Sequence, residues 1–221
     1  SKVGIESLAV SPRGDWIITH GMSPSDSGEL EHNGIHAYRY SKSGIEYVCS
    51  VKVKPALDVK IDRPFSPRIS PDGKRALTLN GWGIPAKGSL DDVLSIDLTL
   101  DKPMVTEVVP QVGDGLESIA YSPDGKLAVV TCLNYEPKAS DGASSLAVLD
   151  LTSEPIRLLY HTDTAGAPQG IEFSPSGDKL FVGSPVANRI VVYDVDGFRI
   201  KRSAFFLQIG HGHASMAISR R

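Results

Sequence analysis

Short apolar segments recur along the whole chain, each separated from the next by residues that favour turns. Examples are 76–79, 127–130 and 146–149, in which Ala, Leu, Val and Thr predominate. These segments are too short for apolar positions spaced three and four residues apart, whereas a buried β-strand needs only this length. The pattern therefore predicts an all-β protein built from many short strands.

One turn motif divides the predicted strands into repeating units. Ser-Pro-x-Gly begins at Ser11, Ser70, Ser122 and Ser174, and Ser219 stands where a fifth copy would begin. An apolar strand precedes each copy and another follows it, so the proline fixes φ and the glycine takes the positive-φ position of a turn. Each unit then supplies a third strand and a more polar fourth strand. Such a repeat is typical of β-propeller blades.

We therefore predict a single β-propeller domain, or a propeller segment, over residues 1–221. It has four four-stranded blades and one extra strand, with blade bounds of 5–57, 64–112, 116–164 and 168–210 and strand bounds of 214–219. A two-sheet sandwich would also contain many short strands. It would not repeat one turn motif in register with its strands.

The fourth unit resembles a known family of blades. Residues 171–184, IEFSPSGDKLFVGS, and 188–195, NRIVVYDV, look like a YVTN-type blade. Residues 34–40, GIHAYRY, are similar to the third strand of lactonase-like blades. The resemblance implies the bacterial surface-layer and lactonase-like propellers, which include the 6-phosphogluconolactonases and carboxymuconate cyclases.

Members of that family close with seven blades, so the resemblance implies a larger ring than four blades. We favour the interpretation that the sequence is part of a longer polypeptide that supplies the other blades. Closure of four blades on their own is the second alternative, and completion of the ring by another copy is the third. The chain starts at Ser1 without an apolar leader, which fits a cytoplasmic protein or a mature segment. We favour a periplasmic or secreted location over a cytoplasmic one.

Composition excludes several other classes of partner. The formal net charge is -3 and the pI is near 6.1, whereas proteins that bind phosphate backbones usually carry surplus Lys and Arg. We therefore expect no nucleic acid partner. No apolar run is long enough to span a bilayer. Cys49 and Cys132 lie in apolar strands at a spacing that matches no metal or redox motif, so we expect free thiols rather than a disulfide.

Ligands of propellers normally bind at one face, where the loops that lead into the channel-lining first strands meet the loops between second and third strands. We call this the loop face. Long loops on a rigid scaffold favour recognition, and 22–33 is one of them. The candidate ligand-binding residues at the loop face are Glu6, His20, Arg63, Asn80, Trp82, Asp114, Glu117, Asn134, Tyr135, Gln169, Asn188 and His211.

Three further residues are candidates for catalysis. Arg68 and Glu172 replace the Ala that other copies carry two residues before the turn serine, so both project from channel-lining strands. They would form an ion pair or bind an anionic substrate. His213, in the sequence Gly-His-Gly-His, would act as a general base or would simply be solvated.

No cofactor is expected, with one alternative at the channel mouth. Glu6, Glu117 and Gln169 each stand five residues before a turn serine, and oxygen ligands from several blades would suit Ca²⁺. The other interpretation is that each pairs with a neighbouring group.

The sequence favours a binding or scaffold propeller that presents its loop face to a small molecule or a protein. The alternative is a lactonase-like hydrolase or cycloisomerase that acts on a small anionic sugar acid or a muconate-type lactone.

Overall fold

The computed structural model describes residues 4–24, 30–81, 90–134, 144–210 and 216–217. These residues form strands, turns and loops, and none of them belongs to a helix. The described part of the chain accordingly contains no helix suited to crossing a membrane. The chain divides into two compact units, residues 1–83 with 91–110 and residues 84–90 with 111–221.

The first unit contains two sheets whose strands follow one another in chain order. The first sheet consists of β1 (Gly4–Val10), β2 (Trp16–Pro24), β3 (Leu30–Ser41) and β4 (Gly44–Ser50). The second sheet consists of β5 (Lys52–Val53), β6 (Pro64–Ile69), β7 (Arg75–Asn80), β8 (Asp91–Asp97) and β9 (Met104–Gly113). Strand β5 pairs in parallel with β9, whose last residues belong to the second unit.

The second unit contains two sheets with the same antiparallel order. The third sheet consists of β10 (Leu116–Tyr121), β11 (Leu127–Cys132), β12 (Ser145–Asp150) and β13 (Arg157–Asp163). The fourth sheet consists of β14 (Ile171–Phe173), β15 (Lys179–Ser184), β16 (Arg189–Asp196) and β17 (Arg199–Gln208). Apart from β5, which was expected in the first blade but pairs with the second sheet, each sheet has the four-stranded up-and-down topology that the repeat predicted.

Each unit has an apolar core between its two sheets. In the first unit Trp16 and Ile18 are buried in one cluster with Ala76 and Ile96. In the second, Val129 and Val148 of the third sheet belong to a cluster with Ile171, Phe173 and Val182 of the fourth. Alternate residues of a strand face opposite sides of its sheet. One face of each sheet therefore packs in the core of its unit.

The four Ser-Pro-x-Gly turns have one geometry, which confirms the turn assignment. In each turn the glycine N–H donates to the serine carbonyl at 2.8 to 2.9 Å. The glycines have φ between 73° and 78°, a region that is strained for residues with a Cβ. The serine Oγ also accepts the N–H of the residue five positions later, at 3.0 Å in every copy. We call these turns the corners.

Each corner serine also donates its hydroxyl proton to an aspartate. The aspartate follows two residues after the serine in the second and third corners, where Ser70 and Ser122 donate to Asp72 and Asp124. In the first corner it follows four residues after, and Ser11 donates to Asp15. The fourth corner uses the later position too, with Asp178 as acceptor from Ser174. An aspartate at either of two sequence positions, two or four residues after the serine, can therefore accept this hydrogen bond.

Some features differ from the sequence-based expectations or lie outside them. The predicted loop 22–33 is largely a continuation of the β2 and β3 hairpin, in which Met22 pairs with His32 and Pro24 with Leu30. Of the predicted strand 214–219 only residues 216–217 are described, and neither is in a strand. The prediction of free thiols is confirmed, with Cys132 buried and Cys49 half-buried.

Candidate functional site

His20 occupies a buried position that links the two sheets of the first unit. Its Nδ1 lies 3.0 Å from Ser7 Oγ, and its Nε2 lies 2.9 Å from Thr78 Oγ1. Thr78 donates its hydroxyl proton to the Phe65 carbonyl at 3.0 Å, so the Nε2 proton of His20 is donated to Thr78. Nδ1 then accepts from Ser7. Both ring nitrogens have protein partners, so His20 acts here as a structural link between sheets.

Asn80 is also engaged in holding the protein together. Its Oδ1 accepts the Asp62 N–H at 2.7 Å, and its Nδ2 donates to the Lys60 carbonyl at 3.1 Å. Asn80 is buried and thereby orders the loop that leads into β6. Arg63 follows in that loop with a φ of 43° and lies 3.9 Å from the Asp62 carboxylate.

The other two described candidates of the first unit lie on β1 and β6. Glu6 is exposed on β1, and Arg68 is half-buried on β6. The Arg68 guanidinium donates to the Pro67 carbonyl at 3.4 Å. Arg68 and Glu172 belong to different units, so their pairing stays a prediction.

In the second unit, the strands β10 and β14 bring two candidates to the same end of adjacent sheets. The Gly170 N–H donates to Ser118 Oγ at 3.2 Å. Glu117 and Gln169 directly precede these two residues, and both are half-buried. Glu172 follows on β14 and is half-buried as well. A carboxylate and an amide therefore lie at the same end of neighbouring sheets.

Asp114 and Asn134 occupy the loop face of the third sheet. The Asn134 N–H donates to the Asp114 carbonyl at 3.0 Å, and Asn134 Nδ2 donates to Ser145 Oγ at 3.2 Å. Asn134 has a φ of 53°, and Asp114 is buried. Ser144 Oγ continues this polar surface by accepting the Ala167 N–H at 3.1 Å.

Asn188 and Arg189 form the most unusual part of the loop face. Within the described part of the chain, the buried Asn188 Oδ1 and the buried Arg189 Nε make no hydrogen bond. The backbone at this point is well held, because the Asn188 carbonyl accepts the Ile209 N–H and Gln208 Nε2, both at 2.9 Å. The Arg189 guanidinium lies 5.4 Å from the Phe206 ring centroid. Among the described residues, both atoms therefore lack the hydrogen-bond partner that buried polar atoms usually have.

Several predicted site residues lie outside the described residues, namely Trp82, Tyr135, His211 and His213. The proposed Ca²⁺ site therefore rests on Glu6, Glu117 and Gln169. Among the described residues no group of three or more His, Cys, Asp or Glu side chains is arranged to hold a metal ion.

The second unit also has a cavity of about 570 Å³ at its corners, at the opposite strand ends from the loop face. Pro123 and Leu127 line it from the third sheet, and Gly177, Val195 and Phe198 line it from the fourth. The sequence analysis did not find this cavity. The sequence indicates it only through the corners at Ser122 and Ser174, which belong to adjacent sheets.

Comparison with known proteins identifies the fold but not a sequence family. No protein-family model matches the chain, and no curated protein matches it by sequence. A periplasmic gluconolactonase of Pseudomonas aeruginosa is 17% identical with a TM-score of 0.66, over 92% of this chain and 57% of that one. A proposed 6-phosphogluconolactonase of Bacteroides fragilis is 15% identical with a TM-score of 0.65, over 94% and 55%. Hydrazine synthase of Kuenenia stuttgartiensis is 19% identical with a TM-score of 0.66, over 94% and 75%.

This protein has a lactonase-like β-propeller fold. The chain spans less than two thirds of the length of the two lactonase structures that it resembles. One fold of this kind supports many functions, so chemistry has to be argued from the site.

Arg189 is the residue that sequence reasoning missed. It follows the predicted Asn188 directly, but the apolar residues after it indicate only that a strand begins there. That its Nε is buried without a hydrogen-bond partner among the described residues became visible only in three dimensions. Together the two side chains accept a hydroxyl proton and donate to a carboxylate or carbonyl oxygen, which are the groups of a hydroxylated acid.

Proposed function

We propose that the protein is a lactonase-like propeller that binds a small hydroxylated acid, or its lactone, at the loop face of the fourth sheet. The observation that carries the proposal is the buried pair of polar atoms on Asn188 and Arg189, which have no hydrogen-bond partner among the described residues. Burial of such atoms costs about 1–3 kcal/mol each when nothing compensates, so a ligand that pairs with both is favoured.

The chemistry of Arg189 and of neighbouring polar residues supports the same class of ligand. An arginine guanidinium prefers carboxylates, which it binds through more than one N–H. Gln169 and Glu117 lie at the loop face of the same unit and offer further polar groups for hydroxyls.

Binding of gluconate, measured by isothermal titration calorimetry, tests this function. Asn188→Gly removes the amide while tolerating the φ of 52°, and Arg189→Lys removes Nε while keeping the charge. We expect each variant to bind gluconate about tenfold more weakly, as loss of one good hydrogen bond implies. The exposed Arg199→Lys is the matched control and should bind as the unchanged protein does. Equal affinity in all four proteins, or no binding by the unchanged protein, would overturn the proposal.

Lactone hydrolysis is the second candidate function. It is favoured by the similarity in fold to the two lactonase structures and by Glu172, a half-buried carboxylate on β14 of the same sheet. The role proposed for Glu172 is that of a general base, which activates water for attack on the lactone carbonyl.

A pH-stat assay with gluconolactone separates the two functions. Glu172→Gln should abolish hydrolysis above the spontaneous rate while gluconate still binds. If the unchanged protein binds gluconate but does not accelerate hydrolysis, it is a binding module and the catalytic role of Glu172 is wrong.

A further inference from the structure

The cavity at the corners of the second unit has the size of a small-molecule site. Its volume is about 570 Å³, and pockets that hold small molecules measure roughly 300–1,000 Å³. Its walls are the third corner, the fourth corner and the turn between β16 and β17. Both sheets that form these walls belong to the same compact unit. A molecule bound in the cavity therefore contacts both sheets.

Contacts between the two sheets hold the walls of this cavity in place. Tyr160 on β13 donates its hydroxyl proton to the Phe198 carbonyl at 2.8 Å and accepts the Ile200 N–H at 2.9 Å. These bonds attach the turn between β16 and β17 to the third sheet. The two corners also lie in contact, because a Cβ on Gly177 would be only 3.3 Å from Pro123 Cδ. The cavity is therefore preformed, which lowers the cost of binding a ligand.

The first unit has an indole ring at the place that corresponds to this cavity. Leu127 is the most buried of the residues that line the cavity, and it follows its corner serine by five residues. Trp16 holds the same position in the first sheet and is buried. The N–H of each residue donates to the Oγ of its corner serine at 3.0 Å, so the two backbones correspond. Leucine is much smaller than tryptophan and leaves the place of the indole to the cavity.

The hydrogen-bond acceptor of that indole is repeated as well. Trp16 Nε1 donates to the Leu98 carbonyl at 3.1 Å. The Leu98 N–H in turn donates at 2.9 Å to the carbonyl of Lys74, the fourth residue after its corner serine. Val195 lines the cavity and makes the same bond, at 2.9 Å, to the carbonyl of Asp178. The Val195 backbone therefore has the orientation in which Leu98 accepts an indole N–H.

A cation is present beside both places. In the first unit the Arg39 guanidinium lies 3.5 Å from the centroid of the Trp16 ring. In the second unit Lys126 lines the cavity, and its ammonium lies 3.5 Å from Asp124 Oδ2. Both of these side chains are more than half exposed, so their ion pair contributes little to stability. The ammonium can therefore turn toward an aromatic ring, whose face attracts cations.

We propose that the cavity of the second unit binds an indole-type ligand, a bicyclic aromatic ring with an N–H donor. The ring takes the place that the Trp16 side chain fills in the first unit, against Leu127 and the ring of Phe198. Its N–H donates to the Val195 carbonyl. The cavity lies at the opposite strand ends from the loop face, so this inference does not depend on the proposed function.

Titration with indole, followed through amide chemical shifts by NMR, tests the proposal. We expect the N–H signals of Lys126, Gly177 and Gly197 to shift, because these residues line the cavity. Leu127→Trp places an indole where the ligand would lie and should abolish the shifts. Leu159→Trp makes the same exchange in the same sheet, at a position that is 38% exposed and outside the cavity. This matched control should bind indole as the unchanged protein does.

Phe198→Ala tests the cavity from its other wall and does not depend on whether Leu127→Trp folds. Phe198 is half-buried, and Tyr160 bonds to its backbone carbonyl, which alanine keeps. Loss of the ring should weaken indole binding about tenfold, because burial of a large aromatic surface is lost. Phe205→Ala is the matched control, since Phe205 is 78% exposed and lies outside the cavity.

A second ring compound tests the hydrogen bond to Val195. 1-Benzofuran has the two rings of indole with an oxygen in place of the N–H, and it should bind the unchanged protein about fivefold more weakly. Absence of indole binding overturns the proposal, as do shifts confined to the loop face or unaltered binding by both cavity variants. Equal affinity for the two compounds also overturns it, because the ligand class would then not be set by an N–H donor.

Discussion

The imidazole of His20 in the first sheet is hydrogen-bonded to the hydroxyl of Thr78 in the second, with 2.9 Å between Nε2 and Oγ1. Both side chains are buried. The same imidazole reaches Ser7 on β1, and the same hydroxyl reaches the Phe65 carbonyl on β6. One chain of hydrogen bonds therefore ties the inner strands of two sheets together. Because both side chains are buried, each of these bonds is costly to lose.

Thr78→Val tests this link. Valine keeps the shape of threonine but leaves the buried Nε2–H of His20 and the Phe65 carbonyl with one partner fewer. We expect the free energy of unfolding to fall by about 1–3 kcal/mol in urea titrations. Thr106→Val, at a half-buried position on β9, is the matched control and should change stability by much less. Equal losses in both variants would mean that the hydroxyl contact itself contributes little.

Gly125 tests the backbone geometry of the corners. Its φ of 73° is strained for a β-branched residue, so Gly125→Val should destabilise the fold by about 2 kcal/mol and lower the melting temperature. Gly166→Val is the control, because a Cβ there meets nothing within 4 Å and the backbone is not in the left-handed region. An unchanged melting temperature for Gly125→Val would contradict the turn geometry.

Much of the fold could be predicted because the turn residues and the apolar strands on either side of them indicate the same repeat. Proline and glycine define each corner, and apolar strands flank it, so the sequence indicates both the turn and the sheet that follows. The extension of the β2 and β3 hairpin into 22–33 was not predicted, because the polar residues of this segment are also typical of a loop. Pairing across a hairpin depends on register, which composition does not reveal.

The candidate site was less predictable for physical reasons. His20 and Asn80 were expected to bind a ligand because they follow second strands, in the loops that lead to the third strands at the loop face. In the structure their side chains form hydrogen bonds with neighbouring hydroxyl and backbone groups. Arg189 was overlooked because nothing in the sequence distinguishes a buried Nε from a solvated one. Which polar atoms retain a partner is decided by packing, not by spacing along the chain.

The corners predict that the aspartate of a corner can be moved from one of its two sequence positions to the other. The third corner has its aspartate at Asp124 and a lysine at Lys126, whereas the fourth has Ser176 and Asp178 in those places. Asp124→Ser should cost about 1 kcal/mol or less, because this carboxylate is more than half exposed. The double variant Asp124→Ser with Lys126→Asp should recover most of that loss, which urea titration would show. No recovery would mean that the two positions are not equivalent.

The same carboxylates predict how stability depends on pH. The hydrogen bond from Ser122 lowers the pKa of Asp124 below its ordinary value of 3.8, against the opposing effect of burial. The bond from Ser11 likewise lowers the pKa of Asp15, and those from Ser176 and Ser174 lower the pKa of Asp178. For Asp72 burial acts to raise the pKa but is outweighed by the bonds from Ser70 and the Lys74 N–H.

A carboxyl group with a lowered pKa in the folded state stabilises that state fully above its ordinary pKa. The contribution is lost as pH falls through the lowered value, because the unfolded chain then binds more protons. We therefore expect the urea midpoint to be steady near neutral pH and to fall below about pH 4. Asp124→Ser should show a shallower fall than the unchanged protein, and addition of Lys126→Asp should restore the steeper one. Parallel curves for all three proteins would show that the corner aspartates do not cause the acid sensitivity.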